Sequence, residues 1–282
     1  VKAGFKVTVY DLNPAPVQEL VGLGATAAAS LADAVRDAQA VITMLPGPNE
    51  VKDVWLGSGG LMAALPAGCI GIDMSTVDPL TAQAVHQAAA ARGIEHLDAP
   101  VSGGQTGAIA GDLAIMVGGD TGLFERCRPV LRAMGREEAI YHAGGPGLGC
   151  TVKMCNNMLA AINVAAATEA MALGLRAGAD LDTLVKVIAQ SSGTSYMLER
   201  RFTQKIFKGD FQPGFALDLM YKDIGLAVDT AAQLNVPLYF GTLARQRFAE
   251  ARAAGLGKED TSAIAKLTER SADVRLRTGE AG

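Results

Sequence analysis

A lysine and an asparagine on one predicted helix are the residues of this sequence best suited to move a proton. In GLGCTVKMCNN (147–157), Lys153 and Asn157 are four positions apart and therefore share one helix face. The neighbours of Lys153 are apolar, which indicates a largely buried helix. Desolvation and the dipole of the helix N-terminus both disfavour the charged form of a lysine, so we expect a lowered proton affinity. The pair is a candidate site of general acid–base chemistry.

Two further stretches carry groups suited to binding a ligand. In DAPVSGG (98–104), a strand end is followed by Ser102, Gly103 and Gly104, and adjacent glycines let backbone N–H groups approach an anion. An ordinary turn is the alternative. In LMYKDIGLA (219–227), Lys222 stands beside Asp223, either as a surface ion pair or as a lysine that reaches a cleft.

The first half of the chain alternates short apolar runs with helical patterns, which predicts an α/β domain with a mostly parallel, Rossmann-like sheet. Ser30 and Asn49 are predicted helix N-caps, and Pro79 suits a first helical turn. The predicted strands are KVTVY (6–10), AVITML (40–45), CIGIDM (69–74), EHLDAP (95–100) and LAIMVGG (113–119).

From Gly149 onwards the pattern is helical throughout. AGGPGLG (143–149) is the predicted boundary between an α/β domain over 1–145 and an all-α substrate and dimerisation domain over 146–282. The second domain begins with a long interdomain helix. We expect the apolar stripe of this helix to pack against other helices; its members are Met158, Leu159, Ile162, Ala166, Ala170 and Leu173.

Asp11 ends the first predicted strand. In a dinucleotide-binding unit an acid at the end of the second strand bonds the adenosine ribose hydroxyls, whereas the alternative here is a turn-initiating Asp before Asn13 and Pro14. The first strand and glycine loop of such a unit do not occur in this sequence, because GLGATA (22–27) follows a helical pattern. We therefore expect the domain to be truncated, with roughly 25–30 further residues in the functional protein.

The charge and residue composition limit the classes of function to be considered. The 282 residues are 49% hydrophobic and 19% charged, with a net charge of −4, so nothing favours nucleic acid or an anionic membrane as a partner. No apolar run was expected to reach the length of a bilayer span. The four cysteines have no CxxC spacing and the three histidines are scattered, which predicts no metal site, buried thiols and a cytoplasmic location.

Several motifs in one order resemble the β-hydroxyacid dehydrogenase family, which includes 3-hydroxyisobutyrate dehydrogenases and tartronate semialdehyde reductases. They cover essentially the whole chain: VYDLNP, MLPGPNEV, DMSTVDP, DAPVSGG, GDLAIMVGGD, GPGLGCTVKMCNN and LMYKDIGLA. The resemblance implies an NAD(P)-dependent oxidoreductase that acts on a short β-hydroxy acid, and a homodimer or homotetramer.

The resemblance also implies roles for single residues. Lys153 matches the catalytic lysine and Asn157 its substrate-orienting partner, while Ser102, Gly103 and Gly104 match the turn that holds the substrate carboxylate. The positions that match cofactor contacts are Leu45, Pro46, Asn49, Thr76 and Lys222. Asp11 favours NAD over NADP, because its charge would repel a 2′-phosphate and neither Leu12 nor Asn13 supplies a cation.

Three alternatives stay open at this point. A 6-phosphogluconate dehydrogenase should need a cluster of cations, whereas the helix of Lys153 offers Asn156, Asn157 and Asn163. A 2-hydroxy-3-oxopropionate (tartronate semialdehyde) reductase would want polar partners, which the SSGTS loop (191–195) could supply as hydroxyls or use as a turn. The third alternative is a non-catalytic dehydrogenase-like scaffold.

Overall fold

A computed structural model describes residues 1–66 and 68–278. The chain divides into two compact units, Val1–Lys153 and Met154–Gly282, called the N-terminal and C-terminal units below. The division falls inside a helix rather than in the glycine-rich stretch at 143–149.

The N-terminal unit contains the α/β structure. Its strands are β1 (Thr8–Val9), β2 (Thr26–Ala27), β3 (Ala40–Thr43), β4 (Ile70–Asp73), β5 (Glu95–Asp98), β6 (Val101–Ser102), β7 (Leu113–Gly118) and β8 (Gly135–Gly144). Its helices are α1 (Pro14–Gly22), α2 (Leu31–Val35), α3 (Pro48–Leu56), α4 (Leu61–Ala64), α5 (Pro79–Ala91), α6 (Gly104–Ala110) and α7 (Thr121–Arg132). Each of the five predicted strands contains an observed one. The short strands β2 and β6 were missed, as was β8, which carries the polar run Arg136–Glu138 near its start.

The strands form two sheets. β1 and β2 pair in parallel as a two-stranded sheet, and β3, β4 and β5 are parallel neighbours in a six-stranded sheet. β7 runs antiparallel to β5 and β6 and parallel to β8, so the larger sheet is mixed. The predicted Rossmann-like architecture is confirmed, with β7 reversed against the neighbouring β5.

Helix starts in this unit follow local capping rules. The Ser30 hydroxyl accepts from the N–H of Asp33 at the start of α2, as predicted. Pro79 opens α5 behind an Asp78 N-cap, also as predicted. The prediction for Asn49 was wrong, because α3 begins one residue earlier at Pro48, with Gly47 at the N-cap position.

Two apolar clusters hold the larger sheet between its helices. The first includes the buried side chains of Val51 and Trp55 from α3 and Val85 from α5. The second joins β4, β5 and β7 to α7 and includes Ile72, Leu97, Ile115, Phe124 and Leu131. Because helices cover both faces of the sheet, its accessible polar groups lie at the ends of the strands.

The C-terminal unit is helical throughout its described part. Helix α8 (Leu148–Arg176) begins in the N-terminal unit and continues here. It is followed by α9 (Leu181–Ala189), a π-helical segment (Met197–Ile206), α10 (Leu217–Gln233), α11 (Tyr239–Ala253), a 3₁₀ turn (Thr261–Ile264) and α12 (Ala265–Ala272). Buried Asp260 ties the approach to α10 to the 3₁₀ turn by accepting from the N–H groups of Gly214, Phe215 and Ser262.

The burial of α8 differs from the prediction. Its buried residues include Cys150, Lys153, Asn157, Ala161, Val164, Thr168 and Met171. The predicted stripe largely faces outward, since Leu159 is 55% and Leu173 73% exposed. Alanines and larger apolar residues occur on every side of α8, so the sequence pattern alone could not identify the buried side.

Helix α8 also corrects the expectation about bilayer spans. By length and composition alone it is long and apolar enough to cross a membrane. A core helix of a soluble protein passes the same test, so this finding is weak evidence for a membrane.

Candidate active site

A row of polar residues ends three neighbouring strands of the N-terminal unit. Thr43 of β3 is in register with Asp73 of β4, and Asp73 is in register with Asp98 of β5. All three side chains are buried. Each of the three observed strands ends on one of these residues, for which no role had been predicted.

Asp73 joins two loops that leave this edge of the sheet. Its Oδ1 accepts from the hydroxyls of Thr43 at 2.7 Å and Ser75 at 2.6 Å. The Ser75 hydroxyl accepts from the N–H of Leu45 at 2.8 Å, and the Thr43 hydroxyl accepts from the Trp55 indole N–H at 3.0 Å. Burial raises the pKa of the Asp73 carboxyl, and the hydroxyl hydrogen bonds oppose that rise.

Of the predicted cofactor residues, this network brings the stretch of Leu45 next to that of Thr76. Leu45 and Thr76 are half-buried, and Thr76 directly follows Ser75. Pro46 is exposed, and Asn49 is exposed in the first turn of α3. The segments of Leu45 and Thr76 are thus both held by the carboxylate of Asp73, which fixes the positions of their backbone and small polar groups.

Asp11 lies just beyond β1, which belongs to the separate two-stranded sheet. Its Oδ1 accepts from the N–H of Asn13 at 2.7 Å, and the Asn13 side chain accepts from the N–H of Ala15 to cap α1. The turn-initiating role is therefore present. The side chain is exposed, and a carboxylate has acceptor capacity left for hydroxyl groups.

The Ser-Gly-Gly turn has the backbone that its sequence requires. Ser102 ends β6, and Gly103 and Gly104 follow with φ of 139° and 63°. Both angles lie in the region that side chains disfavour, and a Cβ on Gly103 would lie 3.0 Å from the Leu113 side chain. The turn is exposed at both glycines, so its backbone is accessible to a ligand.

The start of α8 is held by Asp98. Its Oδ1 accepts from the N–H of Gly147 at 2.7 Å, and its Oδ2 accepts from the N–H of Cys150 at 2.9 Å. Burial, together with the charges of Asp98 and Asp73, raises the pKa of the Cys150 thiol, which therefore stays protonated. Cys155 was predicted to be buried and is exposed instead.

Lys153 lies one turn beyond Cys150 on the same face of α8. It is 7% exposed, so the long side chain is withdrawn from bulk water. Buried lysines are rare because the ammonium loses its hydration, and they are over-represented where a lysine exchanges protons. Asn157, one turn further along α8, is also buried.

In the C-terminal unit, Asn157 and Lys222 share one partner. The Asn157 carboxamide donates to Asp223 Oδ2 at 2.6 Å, and Lys222 Nζ lies 3.0 Å from Asp223 Oδ1. Asp223 is buried, so the Lys222–Asp223 contact is not the surface ion pair of the first alternative. Sequence reasoning did not single out Asp223 as a partner of Asn157, because 66 positions separate them.

The SSGTS loop uses most of its hydroxyls locally. Ser191 donates to the Val187 carbonyl, Thr194 donates to Glu199, and Ser195 accepts from the N–H of Leu198. These contacts correspond to the turn alternative. Within residues 1–66 and 68–278, no cluster of three metal-binding side chains is found.

Comparison with known proteins covers both units. Residues 1–145 match the family model for the NAD binding domain of 6-phosphogluconate dehydrogenase. Residues 147–268 match the model described as NAD-binding of NADP-dependent 3-hydroxyisobutyrate dehydrogenase. Both matches are to NAD(P)-binding enzymes.

Individual relatives agree with the family models. The chain is 40% identical to 2-(hydroxymethyl)glutarate dehydrogenase of Eubacterium barkeri, over 99% of this chain and 92% of that protein. It is 43% identical to 3-hydroxyisobutyrate dehydrogenase of Pseudomonas aeruginosa, over 94% and 91%. A structure of Mycobacterium tuberculosis 3-hydroxyisobutyrate dehydrogenase with L-serine superposes with a TM-score of 0.87 at 34% identity, covering 94% of this chain and 91% of the other.

The resemblance found in the motifs is thereby confirmed over the length of the chain. The matched relatives are dehydrogenases that act on hydroxyl groups of hydroxy acids. This protein belongs to the β-hydroxyacid dehydrogenase family of NAD(P)-dependent oxidoreductases.

Proposed function

We propose that the protein is an NAD-dependent dehydrogenase of a short β-hydroxy acid, most similar in activity to 3-hydroxyisobutyrate dehydrogenase, with Lys153 as general acid and base. The observation that carries the proposal is the burial of Lys153 on the first turns of a helix anchored to the NAD(P)-binding unit. Solvated lysines stay protonated at neutral pH, whereas a desolvated amine can exchange its proton.

The residues divide the work of oxidation between them. A nicotinamide cofactor, which the segments of Leu45–Asn49 and Thr76 would hold, would supply the acceptor for the hydride of the carbinol carbon. The neutral Lys153 amine takes the hydroxyl proton, so the alcohol becomes a carbonyl, and the same ammonium returns the proton in reduction. Ser102 and the N–H groups of Gly103 and Gly104 bind the substrate carboxylate, and Asn157, held by Asp223, orients the hydroxyl.

Cofactor residues in the chain fit a dinucleotide. The stretch from Leu45 to Asn49 and Thr76 would border the ribose, the pyrophosphate and the nicotinamide, and the Asp73–Ser75 network holds the segments of Leu45 and Thr76 in place. Lys222 would be a further contact to the cofactor. The exposed Asp11 carboxylate suits ribose hydroxyls and repels a 2′-phosphate, which supports NAD. A kcat/KM higher with NADP than with NAD would reverse this choice.

The substrate choice rests on the names of relatives. Candidates for a panel are 3-hydroxyisobutyrate, 2-(hydroxymethyl)glutarate, L-serine and tartronate semialdehyde. We expect 3-hydroxyisobutyrate to give the largest kcat/KM. A higher value for tartronate semialdehyde would assign the reductase instead, and a strong preference for 6-phosphogluconate would contradict the small-acid assignment.

Assembly and location complete the proposal. Large apolar side chains exposed on α8 and α11, including Leu159, Leu173, Tyr239 and Phe240, support a homodimer or homotetramer. The free cysteines, three of them buried, support the cytoplasm. A monomer at micromolar concentration in light scattering would contradict the first statement.

Replacing Lys153 by Met tests the function directly. Lys153→Met keeps an unbranched side chain but has no proton to exchange, so kcat should fall by roughly 10²–10⁴-fold. The affinity for NAD, measured by thermal-shift titration, should change little. Lys186→Met, on the exposed face of α9, is the matched control and should keep full activity. An active Lys153→Met enzyme would end the assignment; absence of NAD binding in the parent would favour a scaffold.

A further inference from the structure

The start of α8 is held by a carboxylate that is distant in the sequence. A local N-cap residue normally supplies one acceptor to the first N–H groups of a helix. Here both oxygens of Asp98, at the end of β5, serve that purpose for Gly147 and Cys150, 49 and 52 positions away. Two hydrogen bonds to one buried carboxylate fix the rotation of the first helical turn about the helix axis and its distance from the end of β5.

Close packing reinforces the two hydrogen bonds. A Cβ on Gly149 would lie 2.3 Å from the carbonyl oxygen of Met116 and 2.8 Å from the N–H nitrogen of Gly118. A Cβ on Gly118 would lie 2.5 Å from Asp98 Oδ1. The helix backbone therefore rests directly on the ends of β5 and β7, with no side chain between them.

This arrangement explains the glycines of the predicted boundary stretch. Gly147 has a φ of 83°, and a Cβ there would lie 2.9 Å from the Pro79 carbonyl oxygen. The stretch is not a flexible linker. It is a tight connection that brings the first turn of α8 under the carboxylate of Asp98.

We propose that Asp98 is a positioning residue for Lys153 in the proposed reaction. Cys150 and Lys153 are three positions apart on one face of α8, so the bond to the Cys150 N–H determines where the lysine side chain begins. This inference rests on the proposed function of Lys153. Asp98 acts through the helix and does not itself exchange a proton with the substrate.

The substitution Asp98→Asn removes half of the contact. A carboxamide keeps one acceptor oxygen, but its NH₂ group would face an N–H of the helix. The first turn would then shift or rotate. Because a misplacement of about 1 Å lowers the rate by about 10²-fold, we expect kcat to fall by roughly 10- to 100-fold. The KM for NAD should change by less than about threefold, since uniform binding is not lost.

Two matched variants separate positioning from general effects. Asp120→Asn changes the N-cap of α7, which also follows a strand of this sheet, and should leave kcat unchanged. Asp73→Asn changes the neighbouring buried carboxylate, which holds Leu45 through Ser75, and should raise the KM for NAD more than it lowers kcat. The same kcat loss in all three variants would overturn the proposal.

Chemical rescue tests whether Asp98 acts through Lys153. The Lys153→Ala enzyme is assayed with added methylamine, and the same assay is run on the Lys153→Ala/Asp98→Asn enzyme. A free amine is not placed by α8, so the two rescued rates should agree within about twofold, a non-additive outcome. A rescued rate that falls by the full Asp98→Asn factor would overturn the proposal.

Folding of the variants is checked by circular dichroism and thermal melting. If Asp98→Asn is not folded, Gly149→Ala displaces the same turn with Asp98 intact, and its kcat should also fall with little change in the KM for NAD. A folded Asp98→Asn or Gly149→Ala enzyme with the parent kcat would overturn the positioning role. Failure of the proposed function is distinguishable, because Lys153→Ala alone would then be active.

Discussion

The two units hold their buried carboxylates in different ways. In the N-terminal unit, Asp73 is bound by hydroxyls and one N–H, and Asp98 by two backbone N–H groups. In the C-terminal unit, Asp223 is paired with Lys222, and Asp260 with Arg201 in addition to its N–H donors. Backbone N–H and hydroxyl donors to a buried carboxylate fix the path of the backbone, whereas an ion pair fixes the position of the charged side chain.

The difference indicates two kinds of construction. The N-terminal unit places loops and the start of α8, so a change there should displace several groups together. The C-terminal unit holds single side chains, Asn157 and Lys222, on a carboxylate that is itself buried. A buried charge that loses a charged partner is more destabilising than one that loses a neutral donor.

Matched Asp→Asn substitutions at 260 and 73 give the largest expected contrast. Asp260→Asn leaves Arg201 without its carboxylate and disturbs the N–H groups of Gly214 and Phe215, so the free energy of unfolding should fall by about 3–5 kcal/mol. Asp73→Asn leaves hydroxyl donors that can reorient and should cost about 1 kcal/mol. Urea unfolding measures both; equal losses would remove the distinction between the two units.

Removing the charge of Asp223 should lower activity as well as stability, because its ion pair with Lys222 is as buried as that of Asp260 with Arg201. Asp223→Asn can still accept from the Asn157 carboxamide, but it no longer attracts Lys222. We expect kcat/KM to fall by roughly 10- to 100-fold, which corresponds to about 1.4–2.7 kcal/mol of transition-state stabilisation. Steady-state kinetics measures the change.

The control for Asp223 is an exposed ion pair of the same unit. Asp229→Asn weakens a surface contact with Arg245 and should leave kcat/KM within twofold of the parent, because exposed pairs contribute about 0–1 kcal/mol. If Asp223→Asn is as active as Asp229→Asn, the buried pair has no part in catalysis and only supports the fold.

Local sequence patterns predicted most of the architecture. Apolar runs of six residues between helical patterns located β3 and β4, since buried parallel strands carry few polar residues. The same rule missed β8, whose first half is polar and exposed. The buried side of α8 was also wrong, because apolar residues occur on every side of that helix.

The candidate site could be predicted from the sequence where one short motif contains its residues. Lys153 with Asn157 and the turn Ser102–Gly104 are each local, and their spacing already indicates a shared face or a tight turn. The contacts of Asp73, Asp98 and Asp223 join positions separated by 30 to 66 residues. Such contacts depend on strand order and helix packing, which a single sequence does not show.

His96 of β5 provides the smallest and sharpest test of how the N-terminal unit buries polar groups. The ring is fully buried against Trp55 and near His86, and neither ring nitrogen has a hydrogen-bond partner among the described residues. Replacing it by Leu should raise the free energy of unfolding by about 1–2 kcal/mol, because an unsatisfied buried N–H is removed. Denaturant unfolding at pH 7 measures this gain.

The pH dependence of stability gives the same residue a second, independent signature. Burial, with a smaller effect of the His86 charge, lowers the pKa of His96 to about 3. An unfolded histidine titrates near 6.5, so between about pH 6.5 and 3 the unfolded chain binds a proton that the folded chain does not. The free energy of unfolding is therefore unaffected by this titration above about pH 6.5 and decreases as the pH falls towards 3. His96→Leu should reduce the loss of unfolding free energy at low pH, whereas His142→Leu, which removes a hydrogen bond to the Gly119 carbonyl, should destabilise the protein.

If both leucine variants lower the free energy of unfolding at pH 7, the ring of His96 has a hydrogen-bond partner in solution, and every buried polar group discussed in the N-terminal unit then has a partner.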